Sequence, residues 1–165
     1  MRKSIEPNYL SLFAGLWFAV ASCIPVIFIF VVLLDSYDFV SKILLFAVLP
    51  ISITFLLGFG LGSDILIPHK VKTSKQAMIK GLKVALSSYL VFIPLFAISI
   101  ALYHSIFDRT PHEWLAVDFV RSLFASLIIA SYFGSIIIGW LVLIVGAIAG
   151  WLLLKYRLLV QKRVS

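Results

Sequence analysis

Residues 10–34 read LSLFAGLWFAVASCIPVIFIFVVLL, twenty-five positions without a charged side chain. The hydrocarbon core of a bilayer is about 30 Å thick and takes roughly 20 residues of α-helix to cross. No water is present there to satisfy backbone N–H and C=O groups, so an apolar run of this length is read as a helix that closes its own hydrogen bonds. Three further runs follow at 43–67, 82–106 and 122–154, and no charged residue stands near the middle of any of them. The pattern predicts an all-α membrane protein of four transmembrane helices, packed as two helical hairpins, in a single domain spanning residues 1–165.

Composition points the same way. The chain is 62% hydrophobic and 13% charged, about half the charged share of a soluble domain. Little chain remains outside the four spans. The single cysteine, Cys23, leaves no intrachain disulfide and no multi-cysteine zinc site.

The net charge of +7 is a topology signal and not a nucleic-acid face, because the charges lie in the connectors. Arg2 and Lys3 precede the first run, and the second connector (residues 68–81) and the start of the third run carry Lys70, Lys72, Lys75, Lys80 and Lys83. Lys155, Arg157, Lys162 and Arg163 close the chain. These eleven basic residues face three, Lys42, Arg109 and Arg121, in the two opposite loops. Basic loops stay in the cytoplasm, so both termini and the lysine-rich connector are expected there, with residues 107–121 as an outer loop. The five lysines are also placed to contact anionic headgroups, each contributing about 1 kcal/mol near such a surface. The expected location is a plasma membrane, and the lack of a targeting segment points to a bacterium.

Helix starts are legible in two capping boxes, Thr73-Ser74-Lys75-Gln76 and Thr110-Pro111-His112-Glu113. The second allows the fourth helix to begin near Pro111, with residues 111–121 either along the outer surface or continuing the helix. Its apolar part alone, 33 residues, is about 50 Å long. It must therefore tilt, protrude or break, and Gly134 is the first breaking point inside it. Pro25, Pro50 and Pro94 each interrupt a span and favour a bend.

Small residues fall in stripes. Ser135, Gly139, Gly146 and Gly150 lie within about 60° of arc on the fourth helix, and Ala47, Thr54, Gly58 and Gly62 within about 80° on the second, at ~100° per residue. Such stripes let helix backbones approach closely in lipid, either inside one bundle or toward another protein. The glycines of Gly58-Phe59-Gly60-Leu61-Gly62 are not a phosphate cradle, which requires a strand before it and a helix after it in water. Ile24-Pro25 and Phe39-Val40-Ser41 are weakly echoed by Ile93-Pro94 and Phe119-Val120-Arg121, which favours paired hairpins.

Chemistry-bearing residues are few. Asp64 is the one acid within a predicted span, about one turn from its end and within reach of Lys70 or Lys72. It is the single candidate for an ion or proton site. His69, His104 and His112 are dispersed, which disfavours a haem or metal pair. No HExxH pattern and no paired intramembrane acids occur. The span serines are read as hydrogen-bonding to helix carbonyls. Arg2-Lys3 followed by an apolar stretch and Val20-Ala21-Ser22-Cys23 imitates a lipoprotein signal, but the apolar run continues through Leu34 without a polar tether. No catalytic residue, cofactor or metal is expected. The sequence predicts a small non-enzymatic membrane protein acting as an accessory or structural subunit, or as a homo-oligomer. The competing class is a small oligomeric transporter or channel built on Asp64 and the proline bends. The expected partners are the bilayer itself and another membrane protein or a second copy, with no nucleic acid.

Overall fold

The computed structural model describes residues 7–33, 47–107 and 115–164, and every regular element among them is helical. Helix α1 spans Pro7–Leu33. Helix α2 spans Leu49–Leu57 and continues as a π-helical turn over Gly58–Gly62 and a 3-10 turn over Ser63–Leu66. Helix α3 spans Ser74–Phe107, α4 spans Leu115–Gly134, and α5 spans Trp140–Val164. A π-helical turn over Ser135–Gly139 joins α4 to α5. Four segments are long and apolar enough to cross a membrane: Asn8–Phe28, Leu49–Leu66, Ser74–Leu102 and Trp140–Lys162. The chain is thus an all-helical protein with four candidate membrane spans.

Two spans depart from the regular α-helix that their apolar runs predict. The second winds differently along its length, α to π to 3-10, over a stretch that holds glycines at 58, 60 and 62, residues that restrain the backbone least. The fourth run, expected as one span over 122–154, is divided by the turn at Ser135–Gly139. Gly134 and Trp140 keep right-handed helical dihedrals on either side (φ/ψ −60°/−42° and −63°/−38°), so the backbone stays helical throughout residues 115–164. A straight helix of that length is about 75 Å, more than twice the hydrocarbon thickness. The span therefore falls on Trp140–Lys162, and Phe119–Tyr132 remains a separate shorter apolar helix. Residues 115–121 belong to α4 and not to a loop. The second capping box, Lys42 and the acids Asp35 and Asp38 lie outside the described residues.

The first capping box closes reciprocally. The Gln76 amide donates to Thr73 Oγ1 (3.3 Å), while Gln76 Oε1 accepts from the amides of Thr73 (3.3 Å) and Lys72 (2.9 Å). This starts α3 at Ser74, eight positions before the apolar run. Pro25 and Pro94 stand inside α1 and α3. Pro50 falls in the first turn of α2, where a missing amide costs least.

Helix α1 packs on the α2 segment and on α5, while α3 packs on α2, α4 and α5. Phe13 of α1 stacks on Tyr156 of α5 with centroids 5.0 Å apart, and Trp17 Nε1 donates to the Ala149 carbonyl at 3.0 Å. The start of α1, the end of α5 and the 67–73 connector therefore share one end of the bundle. The core is concentrated there, around Phe18, Ile65, Val71, Val84, Leu153 and Leu154.

Candidate functional site

The connector end gathers most of the ionisable groups of the described chain. Asp64 sits in the 3-10 turn after the glycine run. Its Oδ1 accepts from Lys70 Nζ and its Oδ2 from Lys80 Nζ, both at 2.7 Å. Lys70 lies within the reach expected from sequence. Lys80 is on the next helix, sixteen residues away, and spacing alone does not single it out. Lys72 spends its backbone amide on Gln76. Both carboxylate oxygens are thus engaged by ammonium groups.

Asp64 keeps 22% of its side-chain surface exposed, and Lys70 and Lys80 keep 48% and 34%. Ion pairs this wet contribute about 0–1 kcal/mol each. Replacing Asp64 with Asn removes both pairs and is accordingly expected to shift unfolding in mixed micelles by no more than about 2 kcal/mol, with no change in the size of the purified species. A loss several times larger would make the cluster a structural keystone instead. Of the five lysines assigned to headgroups, Lys70 and Lys80 are committed to Asp64, and Lys72, Lys75 and Lys83 are exposed.

Arg157 was counted among the tail charges, and its burial is the residue-level surprise of this region. Only 8% of it is exposed. Its Nη1 donates to the carbonyls of Ile65 (2.7 Å), Val71 (2.9 Å) and Ile67 (3.3 Å). These oxygens lie at and beyond the end of the 3-10 turn, where carbonyls lack helical donors and carry the negative end of the peptide dipoles. The guanidinium thus fastens α5 to the connector. All three bonds come from Nη1, while Nε is buried without a hydrogen-bond partner.

Two glycine seams hold the helices. In the first, a Cβ on Gly58 would stand 2.9 Å from Phe18 Cβ and 3.2 Å from the Ala14 carbonyl oxygen, and one on Gly62 would enter the Phe18 ring at 2.7 Å. Gly15 returns the approach, 3.0 Å from the Phe55 ring and carbonyl. In the second seam, Gly146 and Gly150 of α5 meet Ala77, Gly81 and Ala85 of α3. Gly81 lies between Lys80 and Lys83, at the edge of the apolar run, where the sequence gives it no packing signal.

The other stripe members lie elsewhere. Thr54 is buried with its hydroxyl donated to the Pro50 carbonyl (2.8 Å), and Ala47 is half-buried. Ser135 Oγ is 3.2 Å from the Tyr89 hydroxyl. A Cβ on Gly139 would meet only its own helix region, at ordinary distances of 3.6 Å and 4.0 Å.

His69 is exposed, His104 falls in the last turns of α3, and His112 lies outside the described residues. No group of three or more His, Cys, Asp or Glu positioned for a metal occurs among the described residues. Cys23 is half-buried within α1, its Sγ 3.5 Å from the Ala19 carbonyl. Comparison with protein families, with curated proteins and with solved structures gave no match.

Proposed function

We propose that this is a non-enzymatic multi-pass protein of the plasma membrane that works through association, as an accessory or structural subunit of a membrane complex or as a homo-oligomer. Both termini and the 67–73 connector face the cytoplasm in this reading, and the spans pair as two hairpins. The orientation rests on the described basic residues Lys70, Lys72, Lys75, Lys80, Lys83, Lys155, Arg157 and Lys162, which belong to one end of the bundle.

The observation that carries the association reading is a face of large apolar side chains along α4 and α5. Val120, Phe124 and Ile128 on α4, and Ile136, Trp140 and Ile144 on the π-helical turn and α5, form two strips, each within about 80° of arc at ~100° per residue, and are 48–66% exposed. The two GxxxG pairs are spent on the interior seams, which leaves this ring-bearing face for a second protein. Aromatic side chains bring large contact area at low conformational cost. The competing transporter or channel reading needs a carboxylate free to exchange a proton or cation, and Asp64 is held by two lysines.

The test uses cysteine introduced at Phe124 or Ile136 in a Cys23→Ser background, crosslinked in native membranes. The expected product is a dimer of the 18.4 kDa chain or one stoichiometric partner adduct, with the same assembly size in mild detergent. A chain that stays uncrosslinked and monomeric would overturn this reading, and a pure homo-oligomer that conducts ions in proteoliposomes would replace it with the transporter.

A further inference from the structure

Above the glycine seams the helices part and enclose a cavity of about 290 Å³. Its wall draws on all the packed helices: Pro25 of α1, Thr54 of α2, Phe92 of α3, Ile129 of α4 and Val142 of α5 stand around it. The volume is about twice that of an apolar protein cavity large enough for benzene, ~150 Å³, and near the lower end of small-ligand sites, ~300 Å³.

Three observations decide what it can hold. Every polar side chain in the wall is already occupied. Ser22, Thr54 and Ser88 donate to the carbonyls of Ala19, Pro50 and Val84 at 2.7–2.8 Å, and the Tyr89 hydroxyl meets Ser135. A buried water needs two to four polar partners; the protons of Ser22, Thr54 and Ser88 are spent and the rest of the wall is almost wholly apolar, which disfavours water, ions and polar solutes. The cavity is also partly open and not sealed, and its wall residue Ile129 is 57% exposed. Its walls on α1, α2, α3 and α5 lie within candidate spans, and Ile129 stands on the apolar helix Phe119–Tyr132, an apolar surround that suits lipid hydrocarbon.

Gly134 shapes the space. A Cβ there would stand 2.8 Å from the Tyr89 hydroxyl, and the following π-helical turn sets Ile138 into the wall beside it.

We propose that this cavity is a binding site for a hydrocarbon chain, supplied by the acyl tail of a membrane lipid that enters past Ile129. The site is distinct from the α4–α5 face and stands whether or not that face associates.

The protein is reconstituted in phosphatidylcholine vesicles that carry a diazirine midway along one acyl chain, illuminated, and its adducts assigned to residues. Expected labelling at Phe92, Ile93 and Ala130 exceeds that at the exposed Leu90, Leu95 and Ile128 by at least fivefold. Ala130→Trp, which places a large side chain in the cavity, is expected to lower the Phe92 and Ile93 adducts at least fivefold while the adducts at Leu90 and Leu95 persist. Val142→Trp serves the same purpose from α5 should Ala130→Trp fail to fold. Labelling no denser on the wall than on the outer residues would overturn the proposal, as would wall labelling that neither tryptophan diminishes in a folded variant. Preferential labelling of the wall by a water-soluble diazirine would overturn it too, by showing the cavity wet.

Discussion

Replacing Gly81 with leucine is expected to abolish the folded bundle, and alanine at the same position to cost about 2–4 kcal/mol, at and slightly above the usual range for overpacking. A Cβ on Gly81 would overlap the carbonyl oxygen of Gly146 and stand 2.9 Å from Gly150 Cα and 3.0 Å from Gly150 N. These are backbone atoms of a neighbouring helix, so no side-chain rotation makes room and α3 must move away from α5. Separation forfeits dispersion contacts along the whole seam, and in lipid those contacts are the main force holding helices together. Gly60 is the internal control. It has nothing within 4 Å of a built Cβ, so Gly60→Ala is expected to change stability by no more than about 1 kcal/mol, with any gain coming from helix propensity. Unfolding of both variants in mixed micelles, followed by far-UV circular dichroism and size, separates the two cases. Equal stability for Gly81→Leu and Gly60→Ala would mean that α3 and α5 do not meet at this seam.

The contrast between these glycines marks how far the sequence can be read. Burying twenty-odd apolar residues in succession is a property of the chain itself, so the four candidate spans are legible from hydropathy. The Thr73–Gln76 box is equally local, because both partners lie within one helical turn. A GxxxG pair announces that a backbone can be approached, and Gly58–Gly62 and Gly146–Gly150 both are. It does not announce by what. The partners Phe18, Gly81 and Ala85 come from helices distant in the chain, and Gly81 carries no signal of its own among lysines. Lys80 reaches Asp64 only because the connector folds α3 back along α2. Gly134 marks the interruption of the fourth run, yet nothing local announces its outcome, a π-helical turn that keeps the helix going and whose Ser135 meets Tyr89 of α3. The cavity is the extreme case: a void has no residues of its own, and only the placement of five helices defines it.

That distribution gives the molecule a graded interior. At the connector end, glycine contacts and the Phe18, Leu153 and Leu154 core bring α1, α2, α3 and α5 together. Farther along, Pro25 and the turn at Ser135–Gly139 border the space where the same helices stand apart. Substitutions at the connector end should therefore act on global stability, whereas those around the cavity should act on occupancy with the fold intact. Arg157 belongs to the first group, and its position at the junction of α5 with the connector makes its removal the sharper test.

Arg157→Ala is expected to cost about 3 kcal/mol or more, because each buried carbonyl left without a donor costs about 1–3 kcal/mol. The carbonyls of Ile65 and Val71 are the ones exposed to that loss, since Ile67 O also accepts from the amides of Lys70 (3.1 Å) and Val71 (3.4 Å). The arginine stem also packs against apolar neighbours, so alanine alone conflates two effects. Arg157→Met retains an apolar stem and removes the donors. It is expected to fall within about 1 kcal/mol of the alanine variant, because the carbonyls lose their hydrogen bonds in both. Lysine restores a charge with its donors on one nitrogen, as Nη1 has here, and should recover part of the loss. Because the guanidinium ties α5 to residues 65–71, the first consequence should be local: proteolysis at the connector should accelerate at least tenfold in Arg157→Met before the bundle as a whole unfolds. A methionine variant as stable and as protease-resistant as the native chain would show that the seams alone hold this end closed, and that the three carbonyls find donors without Arg157.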